Sequence, residues 1–594
     1  MTAEILTVFL LVALALVLFI REWLPIDLSA MLVLAFLGVL DAATPLDLLP
    51  ENQLFSGFSS RAVIAIIGVT IVAKGLEKTG LMVVVARWIS SRSRGETSTK
   101  ALIMSSAGLV SAFVQNIGVA AMFVPITRRV AKNKHLNVSN LMMPMAFCVI
   151  LGGTITMVGS APLILVNDLL PPGYPPFGLF DVAPIGLLLL LSGILLFVFF
   201  GRVLGLAKPN TDVGLDSGRG FTYDIDETVR YVVLDETSDV RQMTVGELEK
   251  LYQVKLVSVD TNIGDVTADT SMQNIAEFAL YGVAQGVDRL LGLSGVGETE
   301  TPAKSVIVNP DFQGLVEIVV RPGSSIINHN DNEMGIFRDS GLSPVALLRD
   351  KKVYRSNLDL MRLNPGDAIL CYGAWDHVVR LESGEDFVIP TQDYPRITPD
   401  TKKIPTAIAL FALALGAILW VDIPLSLVFF SCAVAMMLLK IISVSDAYKS
   451  VSWKTVFLLA SLIPLGSAMQ FTGAAQWLAQ YLIELMGSGS SELAWLALAA
   501  VLSTALTLVM SNVGATVILI PLFSQIAIGL NLDPGKFALL VAICVSNSFL
   551  IPTHQVNALI MNPGKYRSYD FLRAGAVMTV LCIMVSLVGI ELFF

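Results

Sequence analysis

Two small polar clusters interrupt membrane-length apolar runs at matching places in the chain. The first is Gln115-Asn116-Ile117-Gly118-Val119-Ala120, followed by Ala121-Met122-Phe123-Val124-Pro125-Ile126. The second is Ser511-Asn512-Val513-Gly514-Ala515-Thr516, followed by Val517-Ile518-Leu519-Ile520-Pro521-Leu522. In lipid every backbone N–H and C=O needs a partner, so irregular backbone survives only where it is buried in protein or lines a cavity. Paired interruptions in two halves of a membrane protein point to a transporter's binding site. For either cluster alone, a kinked helix or polar contact between helices is the competing explanation.

Composition agrees with a polytopic membrane protein. The 594 residues are 54% hydrophobic and 15% charged, where a soluble protein carries about a quarter charged residues. A net charge of -9 gives no reason to expect nucleic acid, and the acidic residues concentrate in the middle of the chain. The cysteines Cys148, Cys371, Cys432, Cys544 and Cys582 form no CxxC pair, so they read as inert and buried. Met1 to Ile20 lacks a basic leader and a cleavage site, and is read as a first membrane helix.

Apolar segments follow at 26–40, 62–74 and 182–200, and resume at 404–421, 424–442, 455–470, 493–509 and 574–593. The basic stretch from Arg87 to Lys100 is a candidate cytoplasmic loop. Lys74, Glu77 and Lys78 read as interfacial residues at a helix end. The stretches Gly152–Pro162 and Val545–Asn557 are too rich in Gly, hydroxyl and Pro for an uninterrupted span. They are expected to be tips of hairpins that enter the membrane and return, with the Asn clusters as helices broken midway. From 208 to 402 short β-rich strings alternate with charged loops. Strands are expected at 231–234, 254–259, 315–321, 345–349 and 368–372, with Gly292–Thr301 as a linker. Its Gly-Leu-Ser-Gly-Val-Gly lacks dinucleotide-fingerprint spacing.

The halves repeat in register. Gly80 and Gly473 lie 393 residues apart, Asn116 and Asn512 396, and Pro162 and Val556 394. Duplicated halves of inverted topology are a common transporter plan. The fold class expected is an α-helical polytopic membrane protein with inverted repeats and re-entrant hairpins, and inserted soluble α+β domains. Its domains are expected at 1–207 (membrane repeat 1), 208–300 and 301–402 (soluble modules) and 403–594 (membrane repeat 2).

Half-helix N-termini suit an anion, while freed carbonyls with Asn, Ser and Thr oxygens suit Na+. The expected substrate contacts are Asn116, Gly118, Asn512, Gly514, Thr516, Ser160, Thr553 and His554. The expected cation ligands are Gln115, Asn116, Gly153, Thr156, Ser511, Asn512, Ser546 and Asn547. No Asp or Glu falls in either cluster, which favours sodium over proton coupling. His554 has three readings: a structural hydrogen bond, a substrate contact or a proton site.

At these residues the chain resembles the divalent anion:sodium symporter family of the ion transporter superfamily. That family carries Ser-Asn-Thr in each half, where this chain has Gln115-Asn116-Ile117 and Ser511-Asn512-Val513. Gly152–Leu163 and Phe549–Asn557 are similar to its two Gly- and Pro-rich stretches, with Leu163 in place of an Asn. The resemblance implies a sodium-coupled carrier of sulfate or di- and tricarboxylates in the inner (plasma) membrane, a homodimer, and an elevator mechanism. The insert resembles tandem TrkA-C modules through Leu315–Ser324 and Leu363–Gly373. Such modules are cytosolic and pair with one another. Some bind nucleotide regulators such as cyclic di-AMP, so the insert is either a ligand gate or a dimerisation platform. A cation/proton antiporter of the same superfamily is the alternative function, and a receptor that moves nothing is a third class. None is an enzyme.

Overall fold

The computed structural model describes residues 1–594 apart from 22, 51, 94, 135, 202–225, 253, 260–268, 283, 300–312, 325, 328–333, 335, 338–339, 351, 355–357, 359–360, 383–385, 391–400, 422, 488–489 and 553. It forms two compact units. Met1–Pro209 joins Pro399–Phe594 in a helical unit, and Asn210–Thr398 forms the other. Among the described residues, seven helices are long and apolar enough to cross a membrane.

The helical unit opens with α1 (Ala3–Arg21), α2 (Ile26–Ala43), α3 (Arg61–Lys78) and α4 (Leu81–Arg92). It continues through α5 (Glu96–Ser111), α6 (Asn116–Asn133), α7 (Ser139–Gly152), α8 (Ala161–Leu169) and α9 (Ala183–Phe200). The second half repeats the series after the insert. Gly80 and Gly473, at φ of 80° and 75°, turn the chain through the same left-handed cap, a backbone region in which Gly alone carries no steric cost. Pro125 and Pro521 sit at matching points inside their helices.

Hydrogen bonds at the helix ends correct the expectation of which break is a hairpin. Glu96 at the start of α5 accepts from Asn140 at the start of α7 at 3.0 Å. At the other ends of these helices a Cβ on Gly152 would lie 2.1 Å from the Gly108 carbonyl oxygen. So α5 and α7 run parallel and in contact. Lys134, just past α6, donates to the Ser93 carbonyl ahead of α5 at 2.6 Å. Helix α6 therefore returns to where α5 began, and Asn116 sits at the tip of a hairpin. By contrast α8 makes no extended contact with α7. Residues 153–160 are an unwound link within a helix that continues, not the tip of one that returns.

The second half repeats this arrangement in α18 (Glu492–Val509), α19 (Asn512–Gly529), α20 (Pro534–Cys544) and α21 (Gln555–Met561). Their numbering follows α12 of the insert and α13 to α17, given below. Glu492 and Lys536 pair at 3.7 Å, at the positions of Glu96 and Asn140 shifted by the same 396 residues.

The two hairpins open at opposite ends of the unit. Asn167 in the last turn of α8 is bonded to the backbone of Phe177 at 2.8 and 2.9 Å. The Phe177 ring meets Gly535 at the base of the second hairpin. Reciprocally, Ser139 at the base of the first hairpin donates to the Gly564 carbonyl beyond α21 at 2.8 Å. The Tyr566 hydroxyl accepts from the Met143 N–H at 2.8 Å. Each discontinuous helix thus runs from one hairpin's base to the other's, which is an inverted repeat. Helices α13 (Ile404–Trp420), α14 (Leu425–Leu438), α15 (Val444–Ser450), α16 (Trp453–Phe471) and α17 (Ala474–Met486) complete the series with α22 (Ser568–Phe593). Helix α3 packs on α14 and α16 on α2, again a reciprocal exchange. Lys78 pairs with Asp446, and Lys74 with Glu77 at 2.7 Å. Lys78 and Ser443 bonding the Asp446 carboxyl hold it below the usual range.

The insert contains two antiparallel sheets. The first is ordered β2-β3-β1-β4, from β1 (Asp226–Leu234), β2 (Val254–Val259), β3 (Glu277–Gly282) and β4 (Val296–Glu298). Helices α10 (Val245–Tyr252) and α11 (Ala284–Leu291) accompany it. The expected linker at 292–301 is corrected here, because β4 pairs with β1 as an edge strand. The second sheet is ordered β7-β6-β8-β5-β9. Its strands are β5 (Gln313–Val320), β6 (Leu342–Arg349), β7 (Lys352–Tyr354), β8 (Ala368–Ala374) and β9 (Phe387–Val388), with helix α12 (Trp375–Glu382).

Strand periodicity gives each sheet two apolar faces. Phe278 and Leu280 of β3 face one core, Ile369 and Cys371 of β8 another. Between the sheets a third cluster joins Ala279 and Tyr281 to Leu370 and Tyr372, whose tyrosine rings lie 5.5 Å apart. The turn before β8 is locked by Asp367, which is 2% exposed and accepts from Arg349 Nε at 2.8 Å and from the Asn364 N–H. That bond raises the Arg349 guanidinium further. Removing one partner of a buried ion pair strands the other. Asp367→Ala is therefore expected to destabilise this sheet by about 3 kcal/mol, the low end because Arg349 is partly exposed. Hydrogen exchange of the β8 amides in the full-length protein should then speed up roughly a hundredfold.

Candidate functional site

Each hairpin tip meets the unwound link beside it, so four helix ends converge in each half. In the first half these are the C-termini of α5 and α7 and the N-termini of α6 and α8. Ser111 Oγ donates to Asn116 Oδ1 at 2.8 Å. A Cβ on Gly153 would lie 2.3 Å from the same Oδ1, so the Asn amide rests directly on the link. The Thr156 hydroxyl donates to the Ala112 carbonyl and accepts from Val158 at 3.3 Å. A Cβ on Gly159 would meet the carbonyl oxygens of Gly153 at 2.6 Å and of Ser111 at 2.9 Å. The result is a gathering of neutral oxygens. Ser160 stands at the N-cap position of α8 without a capping bond, is 7% exposed, and its hydroxyl has no partner among the described residues.

The second half builds the same arrangement with more side chains. Thr507 Oγ1 lies 2.6 Å from Asn512 Oδ1 and 2.8 Å from the Val545 carbonyl. Ser548 Oγ approaches the same Oδ1 at 3.3 Å. Asn547 is fully buried and donates to Thr504 Oγ1 and to the Thr579 carbonyl, both at 3.3 Å. Asn557, also fully buried, donates to the Ser548 carbonyl at 2.8 Å. The side-chain oxygens of Asn547 and Asn557 have no partner among the described residues. A buried polar oxygen left unpaired costs about 1–3 kcal/mol, so such atoms mark places where a ligand, ion or water belongs.

The other expected site residues fall into distinct surroundings. Ser511 caps α19 by accepting from the Gly514 N–H at 3.2 Å. Thr516 is buried and donates back to the Asn512 carbonyl at 2.7 Å. Ser546, just past α20, donates back to the Ala542 carbonyl at 3.3 Å. The Gln115 carbonyl starts α6 by accepting from Val119. The glycines differ between halves. A Cβ on Gly118 would find nothing nearer than Val114 at 3.7 Å, while one on Gly514 would meet Met510 at 2.5 Å and the Phe19 ring at 3.1 Å. His554 Nδ1 accepts from the Val556 N–H at 3.3 Å and caps α21. The neutral imidazole in that bond carries its proton on Nε2. Thr553 lies outside the described residues.

Sequence reasoning did not single out Ser111, Thr507, Thr504 or Thr579. A usable signal was present for the first two. Each lies five residues ahead of its Asn, and they share the 396-residue register. Among the described residues no three of His, Cys, Asp and Glu come together. The oxygens gathered at the tips are those of Asn, Ser and Thr side chains and of backbone carbonyls. Carbonyls and helix C-terminal ends of this kind hold Na+ in transporters with discontinuous helices.

Known proteins are similar in sequence to most or all of this chain. An uncharacterized transporter of Synechocystis is 28% identical over 96% of this chain and 93% of its own length. The uncharacterized transporter YfbS of Escherichia coli is 27% identical over the full length of both. Sodium/sulfate cotransporter 1 of Chlamydomonas reinhardtii is 23% identical over 60% of this chain and 42% of its own length. The sequence pattern of the CitMHS family, described as citrate transporter, matches residues 16–589. That span takes in both hairpins, both links and the insert between them, and the chain is a membrane transporter of the CitMHS citrate transporter family.

Proposed function

We propose that the protein is a secondary active transporter that couples sodium to the symport of an anion, sulfate or a di- or tricarboxylate. The observation that carries this is the repeated tip. Each half offers an Asn Oδ1, a hydroxyl five residues before it, and carbonyls of an unwound link. Oxygens that are neutral and buried attract a cation weakly alone and more strongly with an anion beside it. The N-termini of α6, α8, α19 and α21 supply positive dipole ends for that anion. Ser160, whose hydroxyl has no partner among the described residues, and His554, through its Nε2–H, are further side-chain donors for it. Gly118 leaves room for close approach, and Gly514 serves packing. The sodium/sulfate cotransporters among the relatives support sodium as the driving ion.

We read movement by an elevator into the same geometry, because the hairpins open at opposite ends of the unit. The base of the first hairpin carries Arg128, Arg129 and Lys134 beside Glu96, whereas the base of the second carries Glu492 and Asp533 beside Lys536. By the positive-inside rule the first base is cytoplasmic. Gly201, the last described residue before the insert, lies beside Lys100 near that base, so the insert is read as cytoplasmic and regulatory. The plasma membrane, a homodimer and a nucleotide ligand such as cyclic di-AMP complete the reading.

Uptake into proteoliposomes tests it. Sulfate, succinate and citrate are offered with an inward Na+ gradient, a K+ gradient or none. One anion should accumulate only with Na+. Flux of the same size under all three conditions would overturn the reading.

A further inference from the structure

The last turn of α8 is tied to helices outside the hairpin assembly at two independent points. The Asp168 carboxylate accepts the Ala62 N–H in the first turn of α3 at 3.1 Å, and the Ser60 hydroxyl bonds it as well. One residue on, the Leu169 carbonyl accepts from Gln470 Nε2 of α16 at 2.7 Å. The Leu169 side chain lies over Gly466 of α16, where a Cβ would come within 2.8 Å of its Cδ2. A free helix N-terminus and a free helix C-terminal carbonyl thus each find a partner across the same boundary.

The other half does not do this. Asn562 stands at the repeat position of Asp168, 394 residues on. Ser452, the counterpart of Ser60, pairs with Thr455 at 2.8 Å. Glu77, the counterpart of Gln470, pairs with Lys74 at 2.7 Å. The chain beyond α21 is fastened to α7 instead, through Ser139 and Tyr566. Both partners that could clasp α21 are turned to local bonds, so the two halves stand in different conformations. In a carrier built from inverted repeats, rocking of one bundle against the other exchanges such conformations between the halves.

We propose that Asp168 and Gln470 form a clasp that holds α8 to α3 and α16 in one transport state and opens in the other. The clasp rests on the reading above of the protein as a carrier with an elevator movement. In the alternate state the end of α21 moves toward Ser452 and Glu77, and α8 leaves Ala62 and Gln470. Asp168 and Gln470 are positioning residues. They touch neither ion nor anion and set how long the protein stays in this state.

A disulfide across the clasp tests this in the full-length protein in liposomes. Leu169→Cys with Gly466→Cys places two thiols where the side chain of one residue now covers the other, and the five native cysteines are buried. The pair should form a disulfide quickly and stop transport until reduced. Adding Asp168→Asn should slow disulfide formation about tenfold, since a hydrogen bond to a charged group is worth that much or more. Gln470→Leu, in a separate copy, should slow it in the same direction. An unchanged rate in both variants would overturn the clasp. So would a disulfide that leaves sodium-driven flux intact. If the rate depends on Asp168 but the wild-type protein carries no anion with sodium, the clasp stands and the transport reading fails.

Discussion

Asn512→Ala is expected to reduce sodium-driven uptake to background in protein that still folds. Its Oδ1 is the point on which Thr507 and Ser548 both converge, at 2.6 and 3.3 Å. Truncation removes the central oxygen of the set, takes away the acceptor that Ser548 approaches, and leaves Thr507 with the Val545 carbonyl alone. A lost buried polar partner costs about 1–3 kcal/mol, so sodium affinity should fall roughly tenfold to a hundredfold. Asn116→Ala should act in the same direction and less strongly, because one hydroxyl, that of Ser111, bonds its Oδ1. The measurement is initial uptake against Na+ concentration for both variants, with a melting curve to show that the fold is intact. If Asn512→Ala keeps both its flux and its sodium dependence, the second hairpin tip is not a cation site. A receptor that moves nothing would show no flux in the wild-type protein at all.

The Asn pair was legible in the sequence because an amide inside an apolar run has few explanations. The register of the repeat was legible too, through Gly80 and Gly473, whose left-handed caps match. What the sequence left open was the direction of the chain at each break. Gly152–Pro162 and Gln115–Ala120 both look like interruptions, and periodicity does not say whether a helix turns back or continues. Lys134 on Ser93 and Asn140 on Glu96 decide it, and both are tertiary contacts. Ser111 and Thr507 read as ordinary hydroxyls within apolar helices until the tip folds onto them. Strand β3 escaped notice for a related reason. Its Phe278 and Leu280 face one core while Ala279 and Tyr281 face another, so burial on both sides erases the polar alternation. The edge strand β4 is three residues of Gly-rich sequence and is defined only by its pairing with β1. Asp168 drew no attention because it lies outside both motifs, and its role comes from a helix more than a hundred residues away.

Gly153→Ala should disable the first tip without replacing any side chain that bonds there. Gly153 has an ordinary helical backbone, at φ -62°, so alanine carries no conformational strain. The obstacle is space. The new Cβ would sit 2.3 Å from Asn116 Oδ1 and 3.0 Å from its Cγ and Nδ2. A short Asn side chain can turn away from such a clash, and in doing so gives up its bond to Ser111. Sodium dependence should therefore weaken about as much as in Asn116→Ala, and stability should fall by about 1–3 kcal/mol, the cost of overpacking a buried site. Combining Gly153→Ala with Asn116→Ala should add almost nothing, since each acts through the same oxygen. Gly118→Ala is the contrast. Its nearest neighbour at 3.7 Å leaves room for a methyl group, so sodium dependence should stay as it is and the anion's apparent affinity should fall. Losses from Gly153→Ala and Asn116→Ala that simply add would mean that the two residues act separately. The Asn116 amide would then not be the oxygen that the link positions.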